Sequence, residues 1–147
     1  MLRISGTEFV LWLHVIAASI WIGGQVTVAA VIPALRKHGT LARTVGRRYQ
    51  AIAWPAYLVL IFTGILNVSN AGLQWSHLFD TTVGRTLAVK LGLVGLSGLA
   101  AAVHAFLQAP RRAGDTSSRP VASALLGSTS LIAAVLAALY GVAIASA

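Results

Sequence analysis

The chain has 147 residues, 57% of them hydrophobic and only 10% charged, with 11 Lys or Arg against 3 Asp or Glu and a formal net charge of +8. Soluble domains carry about 25% charged residues, so this balance, with a mean hydropathy of +0.81, excludes an ordinary soluble globule and points to an integral membrane protein of one domain. The basic residues flank apolar runs, so they read as topology signals and contacts for anionic lipid, not as a nucleic-acid surface. There is no Cys, and the one Met is Met1, which excludes disulfides and thiolate sites.

The opening MLRISGTE is a polar lead in which Thr7 is placed to cap the first helix, with Glu8 in its first turn. The first helix is expected over about 9–35, FVLWLHVIAASIWIGGQVTVAAVIPAL, whose one ionisable side chain is His14. That run is long enough to span a bilayer core of roughly 30 Å at about 1.5 Å per residue. It is also too long for a signal-peptide core, and further spans follow it, so it is expected to be retained. His14 and Trp21 are seven residues apart and share a face with Ala17, Ala18, Gly24 and Gln25. A Trp, two glycines and a His along one stripe leave space for something flat.

The segment RKHGTLARTVGRRYQ is expected to be a cytoplasmic loop. The second helix is expected over about 51–68, with Pro55 in its first turns and Gly64 later. An outer loop follows with Trp75, His77, Phe79 and Asp80, in which Trp75 and Phe79 read as interfacial anchors. Trp12 and Trp54 read as belt residues. The third helix is expected over about 86–108, where Gly92, Gly95 and Gly98 would admit a neighbouring backbone. Lys90, Ser97 and His104 recur every seven positions on one face of it, a polar stripe expected to point into the bundle. A basic loop with Arg111, Arg112 and Arg119 leads to the fourth helix, expected over about 121–145, which carries Tyr140.

The loops after the first and third helices must share a side of the membrane, and together they hold eight Lys or Arg, whereas the other side holds Arg3 and Arg85. The positive-inside rule then predicts four spans in a bacterial cytoplasmic (inner) membrane with both termini on the non-cytoplasmic side. In that topology His14, Lys90 and Tyr140 lie at similar depths in the outer leaflet, and His104 lies about 21 Å deeper than Lys90. The expected architecture is all-α, an integral membrane four-helix bundle.

The first helix, LHVIAASIWIGG, and the approach to the third, LFDTTVGRTLAVKLGLVGLSGL, resemble the copper-resistance D (CopD) membrane domain, whose pattern is His followed by Trp-x-Gly-Gly and a Gly-Arg-x-x-x-x-Lys helix start. More distantly the chain is similar to the HemJ type of protoporphyrinogen oxidase. The resemblance covers the first three helices and implies a functional set of His14, Trp21, Gly23, Gly24, Arg85 and Lys90.

Three functional readings follow. In the first, the chain binds haem b: His14 is an axial ligand, Trp21, Gly23 and Gly24 shape the slot, Lys90 pairs with a propionate or, if burial deprotonates it, ligates iron, Arg85 joins the set through the resemblance, and Tyr140 reaches the same level. Such a centre would exchange electrons with a quinone or a periplasmic redox partner, or oxidise a porphyrinogen. In the second, the chain moves copper into the cytoplasm, with His14 and His104 as metal ligands along a discontinuous path. Sulfur ligands favour Cu(I), and the chain has no Cys and only Met1, whereas imidazole suits Cu(II). In the third, the chain is a structural or accessory membrane subunit. A homodimer would bring two His14 or two His104 to one cofactor. An ionisable residue inside a span costs roughly 2.5 kcal/mol or more, which favours function for His14. Lys90 has a bland alternative in snorkelling to the interface, and His104 in capping the end of its helix.

Overall fold

The computed structural model describes residues 4–35, 37–73, 75–108 and 120–146, the side chains of His77 and Pro120 excepted. The described residues are helical with no strand: α1 (Gly6–Leu35), α2 (Gly39–Asn70), α3 (Thr82–Leu107) and α4 (Pro120–Ala145), with one 3-10 turn at Trp75–His77. All four α-helices are long and apolar enough to cross a membrane. At about 1.5 Å per residue, the 26 residues of α3 already reach about 39 Å, more than a hydrocarbon core of roughly 30 Å.

The chain divides into two compact units, Met1–His77 and Leu78–Ala147. Each is a helical hairpin, α1 packed on α2 in the first and α3 on α4 in the second.

The helix ends show where apolar runs and helices differ. Ser5, not Thr7, caps α1: the Glu8 amide donates to Ser5 Oγ (3.2 Å) and the Ser5 amide donates to Glu8 Oε2 (2.7 Å). This reciprocal capping box needs a spacing of three residues, which Ser5 and Glu8 have and Thr7 and Glu8 do not. The segment expected as a cytoplasmic loop is the first three turns of α2, which begins at Gly39 and carries Arg43, Arg47 and Arg48. Hydropathy marks the membrane span, whereas Leu, Ala, Arg and Gln are good helix formers on either side of its boundary. The third helix begins four residues before its expected start, because the Thr81 hydroxyl accepts from the Gly84 amide at 3.0 Å and caps it. Arg3, Arg36, Arg111, Arg112 and Arg119, which carried much of the charge count, lie outside the described residues.

Small side chains make both hairpin seams. Ala17, Trp21, Ala53, Ala56 and Thr63 are buried in the first. Ser97, Gly98, Ala100, Ser130, Ala133, Ala134 and Ala137 are buried in the second. Lipid is as apolar as a leucine side chain, so membrane helices associate through close packing and hydrogen bonds, which small residues permit. Of the glycine row in α3, only Gly98 is buried. Gly92 and Gly95 are exposed, and a Cβ at either would meet nothing within 4 Å.

Candidate functional site

His14 stands two turns into α1, half-buried, with Nδ1 2.9 Å from Thr63 Oγ1 on α2. Thr63 is 1% exposed. Its hydroxyl is 2.6 Å from the Val59 carbonyl and 3.3 Å from that of Leu60, the back-bond to which threonine resorts inside a helix. The histidine ring lies against Gly64, where a Cβ would sit 3.4 Å from His14 Cε1. Thr63 and Gly64 thus form the α2 side of the surroundings of His14. The sequence held a signal for them, since Thr63 is the one polar residue in LVLIFTGIL.

One turn and more below, the face expected to hold something flat is filled by α2. Trp21 is 3% exposed, with its ring centroid 4.5 Å from that of Tyr57 and 5.8 Å from that of Trp54. The Tyr49 ring occupies the space over Gly24, where a Cβ would lie 2.5 Å from Tyr49 Cε2. Gly23 is exposed, with nothing within 4 Å of its Cβ position. Trp54 is therefore part of an aromatic cluster and not simply a belt residue, whereas Trp12 is 58% exposed as a belt residue would be. Within this hairpin the space over Gly24 is taken by Tyr49, and Trp21 packs on Tyr57 and Trp54, while the space at Gly23 is open.

The second hairpin holds Arg85, Lys90, His104 and Tyr140. The polar stripe of α3 faces α4. At its centre Ser97 and Ser130, each 1% exposed, form a clasp: Ser97 Oγ donates to the Ser130 carbonyl at 2.8 Å, with the two hydroxyls 3.2 Å apart. At its far end His104 Nδ1 lies 2.9 Å from the Ser123 carbonyl. Gln108 Nε2 donates to Ser123 Oγ at 2.7 Å, and the imidazole sits over Gly127. Ser97 and His104 are seven residues apart on α3, and Ser130 and Ser123 seven apart on α4, an antiparallel register that puts Ala137 level with Lys90. The Lys90 ammonium instead lies 2.9 Å from the Cβ position of Gly141, one turn beyond Ala137 toward the hairpin's open end. The long side chain leans toward the membrane surface, as snorkelling requires. Tyr140 is half-buried beside Gly141, and Arg85 is exposed in the first turn of α3.

The stripe therefore does not line a path between α3 and α4. Ser97 and Ser130 close the seam between Lys90 and His104. Among the described residues no group of three or more His, Cys, Asp or Glu gathers to hold a metal ion. Inside the spans, His14 and His104 each meet the partner helix of their own hairpin at Nδ1.

These features define a multi-pass membrane protein with ionisable side chains inside its spans. Residues 43–146 match the model of the family described as Copper resistance protein D, and the chain belongs to that CopD family. It is also 35% identical over 106 residues to the Copper transport protein CutJ of Bacillus subtilis (strain 168), an alignment that covers 69% of this chain and 19% of that protein. The chain thus spans about a fifth of the length of that curated relative. No solved structure matches it. Arg85, Lys90, His104 and Tyr140 fall inside the family match, whereas His14, Trp21, Gly23 and Gly24 precede it.

Proposed function

We propose that this chain is a copper-handling module of a bacterial cytoplasmic membrane, with copper as cargo. The reading is carried by one coincidence: the stretch that matches the family includes a membrane-length helix whose polar stripe ends in the half-buried imidazole of His104. Imidazole suits copper. With Met1 the one sulfur-bearing residue, the ligands are nitrogen, supplied by His14 and His104. Lys37, Arg43, Arg47 and Arg48 cluster where α1 turns into α2, which by the positive-inside rule puts that end in the cytoplasm and both termini outside. The family match and the similarity to a copper transport protein favour copper over the haem b reading with its quinone or periplasmic redox partner.

The test is copper entry into liposomes that contain the purified chain and a trapped copper-sensitive dye, with iron, copper and the absorption spectrum measured on the same preparation. The expected result is entry above that of protein-free liposomes, reduced in His14→Ala and His104→Ala and unchanged in His77→Ala. Entry equal to that of empty liposomes, or a Soret band with stoichiometric iron, would overturn the proposal.

A further inference from the structure

The first turns of α2 are not evenly basic. Arg43, Arg47, Gln50 and Trp54 follow one another at spacings of four, three and four residues, which at about 100° per residue keeps them within about 60° of one another on the helix. Arg48 lies about 100° round from Arg47, on a different face. Arg43 and Arg47 are exposed, and Gln50 and Trp54 are half-buried. Trp54 is held at the foot of this stripe by edge contacts with Trp21, at a centroid distance of 5.8 Å, and with Tyr57, at 5.9 Å.

Depth gives each member of the stripe different surroundings. A hydrocarbon core of roughly 30 Å takes about 20 residues, which α2 supplies from Ala51 to its end at Asn70. Trp54 then sits about 4.5 Å inside the hydrocarbon boundary, Gln50 at that boundary, and Arg47 and Arg43 about 6 and about 12 Å outside it. A headgroup layer is about 5–7 Å deep, so Arg47 stands at headgroup level and Arg43 on its water side. The local charge is uncompensated: Arg36, Lys37, Arg43, Arg47 and Arg48 fall in one segment, and the chain has no acidic residue between Glu8 and Asp80. Glu8 is engaged with Ser5 at the opposite end of α1.

We propose that Arg47, Gln50 and Trp54 form a seat for the headgroup of one anionic phospholipid, with Arg43 reinforcing its charge from the water side. The order of cation, amide and indole from water toward hydrocarbon is the order in which such a lipid presents its phosphodiester, its ester carbonyls and its chains. Arg47 pairs with the phosphodiester, whose oxygens suit the guanidinium fork. Gln50 donates to an ester carbonyl, and the Trp54 indole lies at the boundary that amphipathic rings favour. A soluble phosphate would use the arginines but not the indole. Arg48, at nearly the same depth on another face, adds only to the general attraction between a basic segment and an anionic membrane surface. The site stands independently of the copper reading.

The experiment titrates the detergent-purified protein with phosphatidylglycerol and with phosphatidylcholine, reading bound lipid by native mass spectrometry. A second readout, in bilayers, is quenching of tryptophan fluorescence by chain-brominated phosphatidylglycerol, with Trp54→Phe identifying the share that belongs to Trp54. Phosphatidylglycerol is expected to bind more tightly than phosphatidylcholine and to quench Trp54. Arg47→Gln should weaken phosphatidylglycerol binding about tenfold or more, the loss of a charge-assisted hydrogen bond. Arg48→Gln removes the same charge at nearly the same depth and should cost about fivefold or less. Arg47→Lys, which keeps the charge and loses the fork, should fall between wild type and Arg47→Gln. Equal losses in Arg47→Gln and Arg48→Gln would reduce the stripe to a diffuse basic collar and overturn the site. So would equal binding of the two lipids, or displacement of phosphatidylglycerol by millimolar inorganic phosphate, which would make the occupant a soluble anion.

Discussion

Gly23 and Gly24 are neighbours on one helix, and replacing each by alanine should separate them sharply. A Cβ at Gly24 would lie 2.5 Å from Tyr49 Cε2, 3.2 Å from Cδ2 and 3.5 Å from Cζ, while one at Gly23 would meet nothing within 4 Å. Carbon atoms rest about 3.5–4.0 Å apart, so the Tyr49 ring has to retreat by about 1 Å or more. That strains its bond from Oη to the Trp21 carbonyl, already long at 3.4 Å. Overpacking of this kind costs about 1–3 kcal/mol. Both substitutions gain the same helix propensity, up to about 1 kcal/mol, so this gain cancels in the comparison. Gly24→Ala should therefore be about 1–3 kcal/mol less stable than Gly23→Ala in reversible SDS unfolding of the micelle-bound protein. Removing the ring closes the gap: in a Tyr49→Ala background the two alanines should be equivalent. If the two single variants agree within about 0.5 kcal/mol, or if the difference survives Tyr49→Ala, the close approach of α1 to Tyr49 is not what Gly24 provides.

Ser97→Ala should destabilise by about 0.6–1.7 kcal/mol, from the average to the maximum found for hydrogen bonds between membrane helices, in the same unfolding assay. Ser130→Ala should cost less, because Ser97 Oγ keeps its contact with the backbone carbonyl. Lys90→Met should leave stability unchanged or raised, since it removes a charge from a span, and should lower copper entry in the liposome assay; full entry would make Lys90 a snorkelling side chain alone. Ser146→Cys introduces the only thiol into a chain with no Cys, and in intact cells it should react with a membrane-impermeant maleimide added from outside. Labelling seen only after lysis would invert the topology.

Spans were legible in this sequence because a run of about 20 apolar residues has few other uses. Helix ends were less so, since α2 continues through Arg43, Arg47 and Arg48 without any change in hydropathy that marks a helix boundary. Polar residues in apolar surroundings could be found but not partnered. His14 was visible as the one ionisable group in its run, yet the oxygen that orients it sits on Thr63, 49 residues away. Ser123 was hidden among the other serines of the same region, and what it contributes to His104 is a backbone carbonyl, which no side-chain pattern records. Trp21 and Gly24 show the opposite error: a gap in side-chain volume along one helix was visible, but not that Tyr49 and Tyr57 of the next helix would fill it.

The heptad of α3 makes the same point in physical terms. Lys90, Ser97 and His104 share one face, and a period of seven says only that they meet the same neighbour. What they do there depends on the length of each side chain and its distance from water. Ser97 is short and central, so its hydroxyl finds Ser130 and the pair locks the seam. Lys90 has the same orientation but a four-carbon stem, and it leans past the level of Ala137 to Gly141, toward the end of the hairpin. His104 is rigid and near the end of its helix, so its Nδ1 meets the Ser123 carbonyl at 2.9 Å and the Ser123 hydroxyl at 3.3 Å. One face of α3 thus carries three different contacts with α4, because side-chain length and depth, which the period of seven does not record, decide what each residue can reach.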